Sequence, residues 1–373
     1  MRIYQKALIT GAFLFAVAGA PSLARAQNAS QFGSKSMIES ISIATTKADT
    51  ARSQKKETTG FYSGNVRMSI ENAGMAIPER LKWGKMYSDL MDTTFNILGG
   101  MGIGPGKEEQ FITEIAGIMY GNMSMKYGGD RVGFLWKSLE NNYWDCKNSV
   151  CFVADVARRL GIKVEFVIVP QHIFLKVGQF CFETTLKDRY FRYSDIGKFY
   201  RGVYLVSGDL RVTEYMAYHV LGRNAKYSPK AADAATYFKK AISLAPETPD
   251  PYIQLGIIYT QLGRHDDAMA QFWKAKSIDA SLPYLYNAMG YTYYKQGNIE
   301  QAIGCFKKAL GVKSLGYDAT RDHIDASINL MNIYEMNGDI QTAHRYWLIY
   351  DKLDPDPFIR EADPAAKTKS TLK

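Results

Sequence analysis

The sequence predicts an α+β domain followed by an all-α repeat solenoid, and three observations carry that reading. Between residues 110 and 200 a segment of helical period gives way to β-rich runs, Val164 to Val169 and Ile173 to Val177. Further on, Leu221-Gly222, Leu255-Gly256 and Met289-Gly290 recur every 34 residues, the spacing of stacked helical hairpins. The third observation is chemical: Cys146, His172 and Glu183 fall at the start of the helix and on the strands that follow it.

In chain order, Arg2 and Lys6 precede an apolar run, Ala7 to Ala20, and Ala24-Arg25-Ala26 offers a small-x-small cleavage pattern. Residues 1–26 therefore read as a signal peptide, and the mature chain is expected to be exported, periplasmic or secreted. No cysteine follows the apolar run, as a lipid anchor would require, and no other stretch approaches the ~18 apolar residues of a membrane span. With Arg2, Lys6 and Arg25 removed, the formal net charge falls from +9 to +6, 43 basic residues against 37 acidic. So mild an excess, without a block of five like charges, argues against a nucleic-acid partner. Five scattered histidines, and no Cys-x-x-Cys or His-Glu-x-x-His, give no metal-site spacing, and no cofactor is expected.

Residues 27–64 are rich in Ser, Thr, Lys and Gln and read as a flexible lead, with a short helix around Ser36 to Ala48. Apolar residues then take helical spacing over Leu81 to Leu98 and over Phe111 to Met119. Between them the run Gly99 to Lys107 superficially matches a phosphate-binding loop. The match fails, because Met101 stands five before Gly106, Glu108 follows Lys107, and no strand precedes the run. It reads as a connector. Val132, Phe134, Leu135 and Leu139 predict a further helix over 131–140.

Tyr143-Trp144-Asp145-Cys146 opens a helix whose apolar positions are Phe152, Val153, Val156 and Leu160, ending at Leu160-Gly161. A cysteine at a helix start feels the positive end of the helix dipole, which favours a thiolate. A histidine after Pro170-Gln171 can share its proton, and a carboxylate on the next run, Gln179 to Thr184, can orient the imidazole. Cys151 and Cys181 read as buried core residues, with a disulfide between them left open.

Asp-Cys, then Leu-Gly, then Val-x-x-Pro-x-His, then Glu-Thr-Thr together resemble the transglutaminase-like (papain-like) core of a group of bacterial proteins, over roughly residues 110–200. The resemblance implies Cys146 as nucleophile, His172 as general base and acid, and Glu183 as the orienting carboxylate. The family's third residue is usually aspartate in an Asp-x-Thr context, and glycine often stands where this chain has Gln171. Asp195 to Tyr200 and Val203 to Val206 are expected to close this domain, residues 65–209, with a helical turn and an edge strand.

In the C-terminal half the 34-residue register repeats further: Ala234, Ala268 and Ala302; Phe238, Phe272 and Phe306; Ala241, Ala275 and Ala309; Tyr218, Tyr252 and Tyr286. A fourth unit is displaced by seven residues, with Tyr334, Ala343, Trp347 and Pro355 in register and Gly311 to Asp322 expected as a loop. These residues resemble tetratricopeptide repeats, at about 215–248, 249–282, 283–316 and 324–357 within 210–358, before a polar tail, 359–373. Such arrays present a concave face to a protein or peptide partner. Ile253, Ile257, Thr260, Asn287, Tyr291 and Tyr294 take groove-facing positions, either for a partner or as the lining of a short solenoid.

The function expected from both halves is an exported cysteine-dependent hydrolase or acyltransferase, transglutaminase- or protease-like, acting on peptide or isopeptide amides. Backbone N–H groups at the Cys146 helix start would stabilise the oxyanion, and Tyr143 or Trp144 would line the acyl pocket. The alternative is a non-catalytic envelope scaffold that binds its partner through the repeats. Catalysis needs an accessible Cys146; a platform tolerates a buried one.

Overall fold

A computed structural model describes residues 77–123, 125–127, 138–139, 142–184, 190–200, 202–209, 211–225, 231–313 and 317–353. The signal peptide, the flexible lead, most of the 131–140 helix and the polar tail lie outside the described residues. Those described form two compact units, 77–251 and 252–353.

The first unit opens with α1 (Ile77–Gly100) and α2 (Glu108–Ala116), the latter continuing through a π-helical turn, Gly117–Asn122. Gly102 and Gly106 take left-handed φ of 68° and 83°, and Lys107 Nζ donates to the Gly102 carbonyl at 2.8 Å. The lysine ties the connector to itself. After a two-residue parallel pair, β1 (Lys126–Tyr127) and β2 (Tyr143–Trp144), comes α3 (Cys146–Arg159). Asp145 caps it from an extended conformation, its Oδ1 accepting the Asn148 N–H at 2.8 Å. Gly161 ends it at φ 72°, a left-handed C-terminal stop.

Five antiparallel strands follow: β3 (Val164–Val169), β4 (His172–Val177), β5 (Phe180–Phe182), β6 (Tyr190–Arg192) and β7 (Leu205–Ser207), in the order β6-β5-β4-β3-β7. Both faces are covered, so the central strands are buried almost throughout rather than alternating with solvent. Phe166, Ile168, Ile173, Leu175 and Val177 join the core built around α3. Val167, Val169, Phe174 and Cys181 face the other way, against Phe191, Tyr193, Ile196 and Tyr200 of β6 and a 3₁₀ segment, Tyr193–Lys198, with its exit. The segment and β7 stand where the closing turn and edge strand were expected. None of the four cysteines is in a disulfide, and Cys151 and Cys181 belong to cores on opposite faces of the sheet, which removes the disulfide option.

The first repeat hairpin, α4 (Arg211–Ala225) and α5 (Ala231–Leu244), lies within this unit. Val212, Tyr215, Met216, Ala241 and Ala245 share the core of Cys146, Trp144 and Phe152. His219 of α4 pairs through Nε2 with Asp250, and burial pushes its imidazole below the ordinary histidine value despite that carboxylate.

Repeated hairpins make up the second unit: α6 (Asp250–Gln261), which begins at the boundary, and α7 (His265–Ile278), then α8 (Pro283–Lys295) and α9 (Ile299–Gly311), then α10 (Tyr317–Met336) and α11 (Ile340–Leu353). The first two pairs cross at a glycine: a Cβ on Gly256 would overlap the Phe272 ring, and one on Gly290 would lie 2.8 Å from Phe306. Gly311 to Asp322 is not the loop expected, because α10 already begins at Tyr317 and takes up part of the insertion as extra helix. Two tertiary bonds hold that extension, Asn287 Nδ2 donating to the Asp322 carbonyl at 2.7 Å and His323 Nε2 to the Val312 carbonyl at 2.9 Å.

Candidate functional site

Cys146 is the first residue of α3, His172 the first of β4, and Glu183 the residue just past β5. The register pairs Leu175 with Phe182. Extended by one residue it sets Glu183 opposite Phe174, so Glu183 and His172 share a face as diagonal neighbours. The structure brings the three together. His172 Nε2–H donates to Glu183 Oε2 at 2.5 Å, and Cys146 lies near enough to the same imidazole to favour its charged form. Burial alone would lower the His172 pKa, but Glu183, first of the opposing causes, and Cys146 raise it to about 10.

Two features hold the imidazole. Pro170 and Gln171 form the two-residue turn between β3 and β4, with Val169 paired to His172 across it. Gln171 sits at φ 58°, and proline followed by positive φ is the signature of a type II turn. That left-handed position is why glycine suits it. On the other side Tyr200 donates its hydroxyl to Glu183 Oε2 at 2.9 Å, and its ring lies 16° from that of His172 with centroids 6.1 Å apart. Tyr200 was missed from sequence; its only signal was the aromatic density between Tyr190 and Tyr204.

Access is narrow. Cys146 is 7% exposed and Glu183 1%. Trp144 is a core residue at 2% exposure, packed on Phe152 with ring centroids 5.7 Å apart, and does not line an acyl pocket. The side chain of Tyr143 lies outside those described. The Asn148 and Ser149 N–H groups at the helix start are engaged by Asp145, so these two do not serve the oxyanion role expected for that terminus. Among the described residues no group of three or more His, Cys, Asp and Glu side chains is placed to hold a metal ion, and no helix is long and apolar enough to cross a membrane.

In the second unit Ile253, Ile257, Thr260, Asn287 and Tyr291 are buried. Polar groups on the first helices of successive hairpins, α6 and α8, satisfy one another there: Gln254 Nε2 donates to the Tyr284 hydroxyl, and the hydroxyls of Thr260 and Thr292 meet at 2.7 Å. The groove-facing residues thus line the solenoid. A small depression lies between α8 and α10, formed by Tyr291, Tyr294, Phe306, Asn329, Asn332, Ile333 and Met336. Met336 is 60% exposed, while Asn329 is 5% exposed and its Nδ2 has no hydrogen-bond partner.

Two family models match here, one described as TPR repeat over residues 256–297 and one as tetratricopeptide repeat over 283–313. Residues 256–313 are tetratricopeptide repeats. The tetratricopeptide solenoid is similar to solved structures at low identity: MamA (19% identity, 38% of this chain and 78% of that one, TM-score 0.32); Pseudomonas aeruginosa PilF (18%, 44% and 73%, TM-score 0.37); and YrrB, titled a TPR protein with an unusual peptide-binding site (18%, 43% and 77%, TM-score 0.32). No curated protein matches the chain.

Proposed function

We propose that the chain is an interaction protein that holds a protein or peptide partner through its tetratricopeptide repeats, with the first unit as a platform. One observation carries this reading: the buried Asn329 offers an unpartnered Nδ2 in a depression walled by Tyr291, Tyr294 and Met336. A buried donor left without an acceptor costs about 1–3 kcal/mol, and a partner's backbone carbonyl would recover it once the side chains over Nδ2 part. The 7% exposure of Cys146 also suits a platform better than an open catalytic cleft. Export through residues 1–26 belongs to the same proposal. A displayed random-peptide library tests it: the full chain should enrich sequences that Asn329→Ala and Tyr294→Ala do not, and equal enrichment by all three would refute it.

The arrangement of Cys146, His172 and Glu183 favours a second reading, thiol chemistry on peptide or isopeptide amides in a transglutaminase-like domain. Cys146 would attack the carbonyl carbon as a thiolate, its proton passing to His172, which then protonates the leaving amine. The resulting thioester would be released by water or a second amine. Glu183 keeps the imidazole oriented and favours its charged form. Cys146→Ala should abolish amide turnover with an unchanged fold; activity equal to wild type would sink the reading.

A further inference from the structure

We infer that Tyr200 is a positioning residue of the thiol site, fixing the Glu183 carboxylate through its hydroxyl and the His172 imidazole through its ring. The inference rests on the second reading above and adds a fourth residue to it. Glu183 Oε2 accepts two bonds, from His172 at 2.5 Å and from Tyr200 at 2.9 Å. A carboxylate held only by the imidazole could swing about its side-chain torsions. A second donor on the same oxygen fixes where that oxygen sits, and therefore which way Nε2–H points. With Nε2 committed to Glu183, Nδ1 is the ring nitrogen left to exchange a proton with the Cys146 thiol.

The ring contributes separately. Tyr200 lies 16° from parallel with His172, its centroid 6.1 Å away, and stacks on Phe174 at 5.2 Å, the residue opposite Glu183. Phe191 closes the cluster from the side, with its centroid 5.8 Å from Phe174 and 6.4 Å from Tyr200. The imidazole is thus backed by an aromatic wall on the sheet face away from α3, and rotation about its side-chain torsions would have to displace Tyr200. Tyr200 touches no reacting atom. It acts through Glu183 and His172, at the exit of the 3₁₀ segment Tyr193–Lys198.

The test is the rate of Cys146 alkylation by iodoacetamide in the full chain at about pH 6, read by peptide mass mapping, in wild type, Tyr200→Phe, Glu183→Ala, the double variant of these two, and His172→Ala. Tyr200→Phe removes only the hydroxyl and keeps the stack. It should slow alkylation about tenfold, since small misplacements of a reacting pair cost that much or more. The double variant should be no slower than Glu183→Ala, because the hydroxyl works through that carboxylate. A purely structural role would move the thermal midpoint and leave the alkylation rate unchanged. Wild-type labelling that is rapid and equally rapid in Tyr200→Phe removes Tyr200 alone, as does full additivity in the double variant. Wild-type labelling that is slow and insensitive to His172→Ala removes the thiol reading, and the role of Tyr200 with it. If Glu183→Ala does not fold, the comparison of Tyr200→Phe with wild type decides.

Discussion

The backbone of Gly290 lies directly against the ring of Phe306, with no room for a methyl group between them. Gly222 and Phe238, and Gly256 and Phe272, repeat the arrangement, which explains the 34-residue recurrence of glycine and phenylalanine. Both Gly290 and Phe306 are deep in their hairpin, Phe306 at 1% exposure. Gly290→Ala should therefore destabilise the chain despite alanine's better helix propensity, by about 1–3 kcal/mol of overpacking. Urea unfolding of the variant measures it, and a midpoint at or above that of wild type would show that the α8–α9 crossing can relax.

Gln171 holds a left-handed conformation that costs a residue with a Cβ about 1–2 kcal/mol. Glycine would relieve that cost but lose roughly 0.5–1 kcal/mol to the greater freedom of the unfolded chain. Gln171→Gly is thus expected close to neutral, and Gln171→Val, branched at Cβ, to lose more than about 1 kcal/mol. Paired thermal melts check the order of the three proteins. Valine as stable as glutamine would mean that the turn at Pro170 is not what sets His172 in place.

Charge on His172 is linked to folding. Its pKa rises on folding from 6.5 to about 10, with burial opposing and Glu183 and Cys146 prevailing. A raised folded value stabilises fully below the unfolded pKa and is lost as pH climbs through the folded one. Relative to His172→Asn, wild type should lose stability between pH 6.5 and about pH 10 and keep a constant difference below that range. Unfolding midpoints across the range measure the difference, and two parallel curves would contradict a charged His172.

Much of the first unit could be read from sequence because its signals are local. Asp145 as cap, Gly161 as stop and the two strand runs each state their own geometry, and Cys146, His172 and Glu183 sit at element ends fixed by those signals. Tyr200 could not be read that way. Its role arises when the 3₁₀ segment folds across the far face of the sheet, and nothing within that segment says which side chain it will meet. The start of α10 was obscured similarly: Gly311 and the residues after it suggest a loop, while Asn287 and His323 hold the helix through tertiary bonds. In the repeats, periodicity assigned Ile253, Ile257 and Asn287 to groove-facing positions. It could not say that neighbouring helices approach closely enough to bury them.

The most direct test of the account replaces Tyr294 with a photo-crosslinking phenylalanine analogue and irradiates cells that express the full chain. Trp273, 49% exposed on α7 and outside the depression, serves as the comparison position. The account predicts one dominant crosslinked partner at position 294, absent at position 273 and lost when Asn329→Ala is added. The same products from both positions, unaffected by Asn329→Ala, would contradict a partner site in the repeats.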